Sequence, residues 1–322
     1  MRQFAKPTIV VSKCLEFDAC RYNGEMIPDV TIRNLQPFVT FIPVCPEVEI
    51  GLGTPRETIR IVEENGENRL VQPSTREDVT EKMEQFSNDF LQTISDVDGF
   101  ILKNRSPSCG TRDVKIYSGF EKAPAKGKGS GLFGGAVVKK FSHLPIEEEG
   151  RLSNFIIREH FFTRLFTIAY YKMIKHNKNM KDLVSFQSDN KYLFMAYNQV
   201  KQKELGRIIA NHKNEKIEVV FENYEKTLYE LFMRTPRYTS IVNVCEHIFG
   251  YFKTKLKKQE KDHFIELLQK YAEKKIPLSS LLTILKSWAI RFDEKYLLRQ
   301  TYFEPYPEAL VEISDSGKGR DY

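Results

Sequence analysis

The sequence lacks the long apolar runs that would carry a chain across a membrane. No stretch of its 322 residues approaches the length needed to span a bilayer. The N-terminal segment MRQFAKPTIVVSKC has too short an apolar run for a signal peptide and no small-residue cleavage site. We therefore predict a cytoplasmic protein with no membrane partner, in which this segment forms the first strand of a sheet.

Cysteine is sparse, and its spacing excludes the common local motifs. The chain has five cysteines, and no two of them have the C-x-x-C spacing of a zinc finger or a thioredoxin motif. In the cytoplasm such residues are expected as thiols, metal ligands or catalytic groups rather than disulfides. A phosphate loop of the form G-x-x-x-x-G-K-[ST] is also absent, so the Gly- and Lys-rich stretch 122–135, KAPAKGKGSGLFGG, is interpreted as a mobile loop.

The composition is that of a folded globular protein, with 41% hydrophobic and 29% charged residues. The charge is uneven along the chain. Residues 1–145 contain 19 basic and 19 acidic side chains and residues 146–322 contain 30 and 24, so the net charge of +6 lies in the C-terminal part. This excess is compatible with RNA or nucleotide phosphate as a partner, and equally with the solvated faces of lysine-rich helices.

The first half of the chain has the pattern of an α/β domain. PTIVVSKC and FVTFIPVC are β-branched and almost continuously apolar, as buried parallel strands are, and DVDGFILKNRSPSCG contains another strand. Between them, residues 75–95 have apolar side chains at helical spacing. Strand, helix and strand in this order predict an α/β domain with a mostly parallel sheet over residues 1–146.

The second half changes to long amphipathic segments with few glycines. Five stretches have helix length and apolar residues three and four positions apart, beginning with FIIREHFFTRLFTIAYYKMIKH. They predict an all-α domain over residues 151–312, joined to the first by a linker, EEEGR, at 147–151. Residues 313–322 are predicted to be a disordered tail. Cys245 lies in an apolar helical pattern, which indicates a buried structural role.

Three of the cysteines each follow a predicted strand: Cys14, Cys45 and Cys109. The C-terminal ends of parallel strands lie at one edge of a sheet, where ligands bind in open α/β folds, so these thiols can converge. Three widely spaced thiolates suit a [4Fe-4S] cluster with one iron left without a protein ligand. The alternative, which spacing alone leaves open, is three ordinary cysteines at strand ends.

Three stretches carry a resemblance to a known family: SKCLEFDACRYNGE, CPEVEIGLGTPRE and LKNRSPSCG. In this order they resemble the signature blocks of the thiouracil desulfurase family (TudS-type desulfidases). The resemblance implies a [4Fe-4S] cluster on the three cysteines named above and non-redox removal of sulfur from thiolated uracil or thiouridine nucleotides. The chain departs from the family at Phe17, where glycine is usual, so the loop after Cys14 is expected to differ. Cys20 is not needed as a ligand.

Polar residues close in sequence to these cysteines are candidates for acid–base catalysis and for orienting the substrate. Glu47 is the carboxylate nearest in sequence to a proposed ligand, and the resemblance implies acid–base work for it; a structural acceptor for backbone N–H groups is the alternative. Two serines flank Pro107. The resemblance favours Ser106 over Ser108 as the hydroxyl that orients substrate or relays a proton.

A second group of residues is predicted to bind substrate. Arg21, Tyr22 and Asn23 offer a guanidinium, a ring and an amide to a uracil or its phosphate. The same residues also predict an Asn-Gly turn, and both interpretations can hold together. Arg105 and Lys103 can meet a nucleotide phosphate, although each can equally be a surface charge.

The C-terminal half carries a resemblance of its own. NKYLFMAYNQ, NVCEHIFGYF and QTYFEPYPEAL resemble the helical YbgA-type family of unknown function, over about residues 150–310. The chain departs from it at Tyr197, where histidine is common. The leading hypothesis for the whole chain is an enzyme that desulfurises a small thiolated pyrimidine base or nucleotide. The alternatives are an iron–sulfur redox sensor and a thiouridine-directed protein that binds tRNA.

Overall fold

A computed structural model describes residues 2–94, 96–120, 123–210 and 212–312. The predicted tail, 313–322, lies outside these ranges. The chain divides into two compact units, one of residues up to 169 together with those from 307 onward, the other of residues 170–306. The predicted domain boundaries at 146 and 151 stay a prediction. None of the helices in the described residues is long and apolar enough to cross a membrane.

The first unit contains nine described strands. They are β1 (Thr8–Ser12), β2 (Thr40–Val44), β3 (Arg60–Glu64), β4 (Glu67–Gln72), β5 (Glu77–Asp78), β6 (Gly99–Leu102), β7 (Val114–Tyr117), β8 (Ala125–Gly129) and β9 (Ile146–Glu148). Its helices are α1 (Val30–Leu35), α2 (Pro46–Glu49), α3 (Thr80–Thr93), α4 (Leu132–Phe141) and α5 (Glu149–Leu152), and the boundary between the units falls within α6 (Phe155–Asn177).

Four strands form a parallel sheet in the order β2-β1-β6-β9. The central strands β1 and β6 are buried along their length, as their continuous apolar sequences require. A second, mixed sheet has the order β5-β4-β3-β7-β8. The predicted fold class, an α/β N-terminal region with a mostly parallel sheet and an all-α C-terminal region, is confirmed.

The second sheet was not predicted, although the sequence of the turn between β3 and β4 indicates a hairpin. β3 and β4 pair antiparallel with Glu64 opposite Glu67, so the loop between them is Asn65-Gly66, and both residues have positive φ. That dipeptide is the strongest short hairpin signal in sequence. The predicted helix over 75–95 also begins late, at Thr80, because Asp78 belongs to β5 and its side chain accepts a hydrogen bond from the Thr80 N–H at 2.9 Å.

Two loop predictions in the first unit are wrong. Residues 123–135, interpreted as part of a mobile loop, contain β8 and the first turn of α4. Residues 147–151, interpreted as a linker, form the end of β9 and most of α5, and Glu148 in β9 is buried. β8 is exposed over residues 125–128, whereas Glu148 and the glycines at the start of α4 make specific contacts that are described below.

The second unit is helical throughout its described residues, apart from connecting turns. After α6 it contains α7 (Met180–Asp189), α8 (Lys191–Tyr197), α9 (Gln199–Ala210), α10 (Ile217–Leu231), α11 (Tyr238–Gly250), α12 (Lys258–Ala272), α13 (Leu278–Arg291) and α14 (Lys295–Leu298). Its core is rich in aromatic rings, such as the stacked pair Tyr171 and Tyr224. Cys245 is fully buried in this core, as predicted, with its sulfur 4.0 Å from the Tyr302 hydroxyl.

Candidate functional site

The three predicted ligand cysteines lie at one edge of the parallel sheet. Cys14 follows β1 by two residues, Cys45 directly follows β2 and is the N-cap of α2, and Cys109 lies in the loop after β6. Because β2, β1 and β6 are adjacent and parallel, their C-terminal ends share an edge. Each of Cys14 and Cys109 lies within electrostatic range of the other two thiols. The structure therefore brings the three cysteines together.

Burial keeps the thiols of Cys14 and Cys109 protonated when no metal is bound. It raises the pKa of Cys14 to about 12, with a further contribution from Cys45. It also raises the pKa of Cys109 well above its usual value, and a hydrogen bond with Ser12 offsets only part of that effect. Metal ligation requires thiolates, so a metal must displace these protons as it binds. Cys14 is only half-buried, so the group of three cysteines is partly accessible to solvent at this residue.

A fourth thiol lies among the same loops. Cys20 is buried, and its side chain is hydrogen-bonded to that of Cys45. The Cys45 sulfur also lies 3.8 Å from the Cys20 carbonyl oxygen. Burial and the neighbouring Cys45 raise the pKa of Cys20 to about 12. The sequence suggested a spare thiol here, and the structure places it directly against a predicted ligand.

Thiolates are the ligands that iron–sulfur clusters use, so the residue types at this edge are compatible with such a cluster. Among the residues that the structure describes, no three His, Cys, Asp or Glu side chains are grouped so as to hold one metal ion. A tetrahedral zinc site needs its ligands to meet around a single atom. A cubane cluster instead distributes its thiolates over separate irons.

A carboxylate and two hydroxyls form a hydrogen-bonded chain beside the thiols. Ser108 Oγ donates to Glu47 Oε1 at 2.6 Å, and the Ser106 and Ser108 hydroxyls are 2.9 Å apart. Ser108 is completely buried, and the Glu47 side chain is 13% exposed. Ser106 Oγ also accepts the backbone N–H of Cys109 at 3.1 Å. The hydroxyl in contact with the carboxylate is thus that of Ser108, whereas Ser106 shapes the loop.

Arg56 holds the other side of Glu47, and the sequence analysis missed it. Its Nε donates to Glu47 Oε2 at 2.9 Å and its Nη2 donates to the same oxygen. The Arg56 side chain is only 4% exposed. Its Nη1 donates to the Cys20 carbonyl at 3.0 Å and to the Gly53 carbonyl at 2.8 Å. Arg56 lies in the stretch CPEVEIGLGTPRE, nine positions after Glu47, but this spacing alone does not predict the contact.

The glycines of the supposed mobile loop let α4 pack closely on the cysteine loop. A Cβ at Gly134 would lie 2.4 Å from the Cys109 carbonyl oxygen, and one at Gly131 would lie 2.5 Å from the Ser108 carbonyl oxygen. The Gly134 N–H donates to that same Ser108 oxygen at 2.9 Å. Only glycine allows this approach of two backbones, which holds Cys109 in place.

Two glutamates at the end of β9 and the start of α5, Glu148 and Glu149, hold the loop that carries Cys109 through further hydrogen bonds. Glu148 accepts hydrogen bonds from the Thr111 N–H at 2.7 Å and the Thr111 hydroxyl at 3.0 Å. Glu149 accepts the Asn104 N–H at 2.7 Å and pairs with Lys103. The sequence left Lys103 as either a phosphate contact or a surface charge, and its ammonium is bonded to Glu149 and Asn104.

The predicted substrate-binding residues at 21–23 are more exposed to solvent than Glu47 and Ser108. Arg21, Tyr22 and Asn23 form the predicted turn, closed by a bond from the Gly24 N–H to the Arg21 carbonyl, with φ +74° at Gly24. Tyr22 is exposed and the Arg21 guanidinium lies 5.4 Å from its ring. The Asn23 amide donates to Glu25 at 2.6 Å.

This turn is connected to Arg56, whose N–H donates to the Tyr22 carbonyl at 2.8 Å. Arg105 is exposed, has φ +55° and lies within electrostatic range of Asp113. No contact of its side chain with Glu47 or the thiols is present, so its predicted role in substrate binding stays a prediction.

Two family models match the chain. One, for 2-thiouracil desulfurases, matches residues 9–149, and the other, for proteins of unknown function (DUF1722), matches residues 191–307. Among curated proteins, uncharacterised YbbK of Bacillus subtilis is 36% identical over 118 residues, which are 34% of this chain and 77% of YbbK. Uncharacterised YbgA of Escherichia coli is 23% identical over 156 residues, which are 48% of this chain and 92% of YbgA.

A solved structure of a [4Fe-4S]-dependent thiouracil desulfidase, TudS, is 25% identical, with a TM-score of 0.37, and the match covers 46% of this chain and 93% of that one. Both resemblances predicted from the sequence, to the desulfurase family and to the YbgA-type family, are confirmed. With its three cysteine blocks inside the matched region and its similarity to YbbK, the chain belongs to the 2-thiouracil desulfurase family.

Proposed function

We propose that this protein removes sulfur from thiolated uracil or thiouridine nucleotides without net redox chemistry, using a [4Fe-4S] cluster held by Cys14, Cys45 and Cys109. The observation that carries the proposal is the arrangement at the sheet edge, where the buried thiols of Cys45 and Cys109 and the half-buried thiol of Cys14 lie beside the hydrogen-bonded pair of Glu47 and Ser108. Membership of the desulfurase family supports the reaction class.

The chemistry is hydrolysis: a thiocarbonyl compound and water give a carbonyl compound and hydrogen sulfide, with no change in total oxidation state. When bound, a cluster with three protein thiolates leaves one iron open, and such a soft site binds sulfur and makes the attached carbon more electrophilic. The protein itself must therefore supply groups that move protons between water, the substrate ring and the departing sulfide.

Glu47 and Ser108 are suited to this task. Arg56 occupies one carboxylate oxygen of Glu47 and leaves Oε1 bonded to the Ser108 hydroxyl. A base at Oε1 can take a proton from water through that hydroxyl and return it to a ring nitrogen. Because both side chains are largely buried, few solvent molecules compete for these hydrogen bonds.

The pair also favours an enzyme over a sensor. An iron–sulfur redox sensor requires the thiolates and a cluster, but has no need of a buried carboxylate hydrogen-bonded to a buried hydroxyl. Arg21, Tyr22 and Asn23 form an exposed turn that connects to Arg56 through the Tyr22 carbonyl. We include them in the proposal as the surface that receives the pyrimidine or its sugar phosphate.

The test is anaerobic purification followed by iron analysis, a visible spectrum and a sulfide assay. We expect brown protein with about four irons per chain and sulfide release from 2-thiouracil, 4-thiouracil or their nucleotides. Alanine at Cys14, Cys45 or Cys109 should abolish the cluster, whereas alanine at Cys20 or Cys245 should leave it in place. Stoichiometric zinc in place of iron, or a full cluster without Cys109, would contradict the proposed ligand set.

A further inference from the structure

Arg56 contacts three separate parts of the site with a single side chain. One edge of its guanidinium bonds Oε2 of Glu47, and Nη1 bonds the carbonyls of Cys20 and Gly53. Its backbone N–H bonds the Tyr22 carbonyl. All of these groups lie in the loops that follow β1 and β2. Arg56 therefore connects the carboxylate, the loop that carries the fourth thiol and the exposed turn at 21–24.

The two oxygens of Glu47 are made unequal by these contacts. Oε2 accepts two N–H groups from Arg56, whereas Oε1 accepts only the Ser108 hydroxyl among the hydrogen bonds that the structure gives it. Two N–H donors of one rigid guanidinium hold Oε2 and the Ser108 hydroxyl holds Oε1, so the two contacts together fix the position and the plane of the carboxylate. Rotation of the carboxylate would break both the Arg56 and the Ser108 contacts at once.

We propose that Arg56 is a positioning residue for the reaction: it immobilises Glu47 so that Oε1 faces Ser108 and the substrate. This inference rests on the proposed function. Four of the five N–H donors of the Arg56 guanidinium bond Glu47, Cys20, Gly53 and Thr54, and its side chain is only 4% exposed, so it acts through Glu47 rather than on the reacting atoms. A misplaced catalytic group loses much of its effect, because the contribution depends on geometry.

The experiment is a double-mutant cycle on the holoenzyme. Arg56→Gln, Arg56→Lys and Glu47→Gln are compared, singly and in combination, with Arg69→Gln as the matched control. Arg69 bonds Asp78 at 2.8 Å across β4 and β5 in the second sheet. The readouts are iron content, visible spectrum, kcat and KM for sulfide release from the best thiopyrimidine, and hydrogen–deuterium exchange of residues 20–25 and 47–56.

If Arg56 acts through Glu47, Arg56→Gln should retain the cluster and lower kcat at least about tenfold with a much smaller change in KM. Adding Arg56→Gln to Glu47→Gln should then slow the reaction by less than about twofold, since the two residues act as a unit. Arg56→Lys, which keeps the charge without the planar fork, should have an intermediate kcat. Arg69→Gln should match the wild type.

Three results would overturn the inference. One is a full, additive loss of kcat when Arg56→Gln is combined with Glu47→Gln. Another is loss of the cluster in both Arg56→Gln and Arg56→Lys, which would show that the residue serves the fold alone. The third is unchanged hydrogen exchange in residues 20–25 and 47–56. If the wild type releases no sulfide from any thiopyrimidine, the proposed function fails, while faster exchange in these two segments still supports the positioning role.

Discussion

The Ser108 hydroxyl donates a 2.6 Å hydrogen bond to Oε1 of Glu47, although 61 positions separate the two residues in the chain. Ser108 lies in the loop after β6 and Glu47 lies in the short helix after β2. The bond joins two of the three loops that carry the predicted ligand cysteines. It therefore links the proposed acid–base group to the proposed metal site.

Glu47→Gln tests the acid–base role. The amide keeps the shape of the side chain and an oxygen that can accept hydrogen bonds, but it has no carboxylate to move protons. We expect the variant to retain its cluster absorbance and to release sulfide at least about a hundredfold more slowly, or roughly 3 kcal/mol in barrier. Some thermal stability should be lost, because Arg56 then lacks its carboxylate partner.

The matched control is Glu49→Gln, which changes an exposed carboxylate of the same helix. It should leave both the cluster and kcat unchanged. Turnover by Glu47→Gln within a few-fold of the wild type, with the cluster intact, would rule out acid–base work by this residue.

Alanine at each serine separates their roles. The sequence resemblance favours Ser106, but the structure puts Ser108 in contact with Glu47. We expect Ser108→Ala to keep its iron and to lower kcat at least about tenfold. This decrease is smaller than the loss expected when a general acid–base group itself is removed. Ser106→Ala removes the acceptor of the Cys109 N–H, so it should lose iron more readily. Iron content and sulfide release of the two variants decide between them, and the reverse pattern would assign the relay to Ser106.

Gly134→Ala tests whether α4 holds the cysteine loop. The new Cβ would lie 2.4 Å from the carbonyl oxygens of Cys109 and Gly110, and backbone atoms cannot turn away as a side chain can. Overpacking of this kind typically costs about 1–3 kcal/mol. We expect a lower melting temperature and a reduced iron content. Gly127→Ala in β8 is the control, since its Cβ would meet nothing within 4 Å, and equal behaviour of the two variants would contradict this account.

Truncation tests how much of the chain the site needs. A chain of residues 1–148 contains every proposed ligand but lacks Glu149, which pairs with Lys103 and accepts the Asn104 N–H. It also lacks α5 and the part of α6 that belongs to the first unit. We expect it to bind little iron, whereas residues 1–177, which include all of α6, should retain the cluster. Full iron and activity in 1–148 would show that the predicted boundary at 146 is a true domain boundary.

His160 on α6 should make the stability of the protein depend on pH. Burial, with a smaller contribution from Arg164, lowers its pKa to about 3. Between pH 6.5 and 3 the unfolded chain therefore binds the proton that the folded chain excludes, so the free energy of unfolding falls as the pH falls. From pH 7 to 5 this loss amounts to about 2 kcal/mol. His160→Gln should reduce the dependence in urea titrations, and a pH dependence equal to that of the wild type would contradict this account.

The sequence alone determined the class of each half of the chain and the candidate ligands. The continuous apolar run that ends at Cys14 indicated a buried parallel strand, and β1 is buried over residues 9–12. The similar run before Cys45 also predicted a buried strand, which is wrong, because β2 lies at the edge of the sheet and only Val44 in it is buried. Helical spacing of apolar residues indicated the all-α second half. These features are local, because the periodicity of a segment records which of its own faces are buried.

Only the tertiary structure decided the contacts among distant residues. That Arg56 and Ser108 take opposite oxygens of Glu47 follows from the packing of three loops, and nothing in the spacing of these residues encodes it. The glycines before and within α4 look like a flexible loop in the sequence, yet they permit two backbones to touch. The amino-acid composition of a segment limits which backbone conformations it can adopt. Which of these conformations is stable depends on contacts with residues distant in the chain, and folding alone brings those residues close.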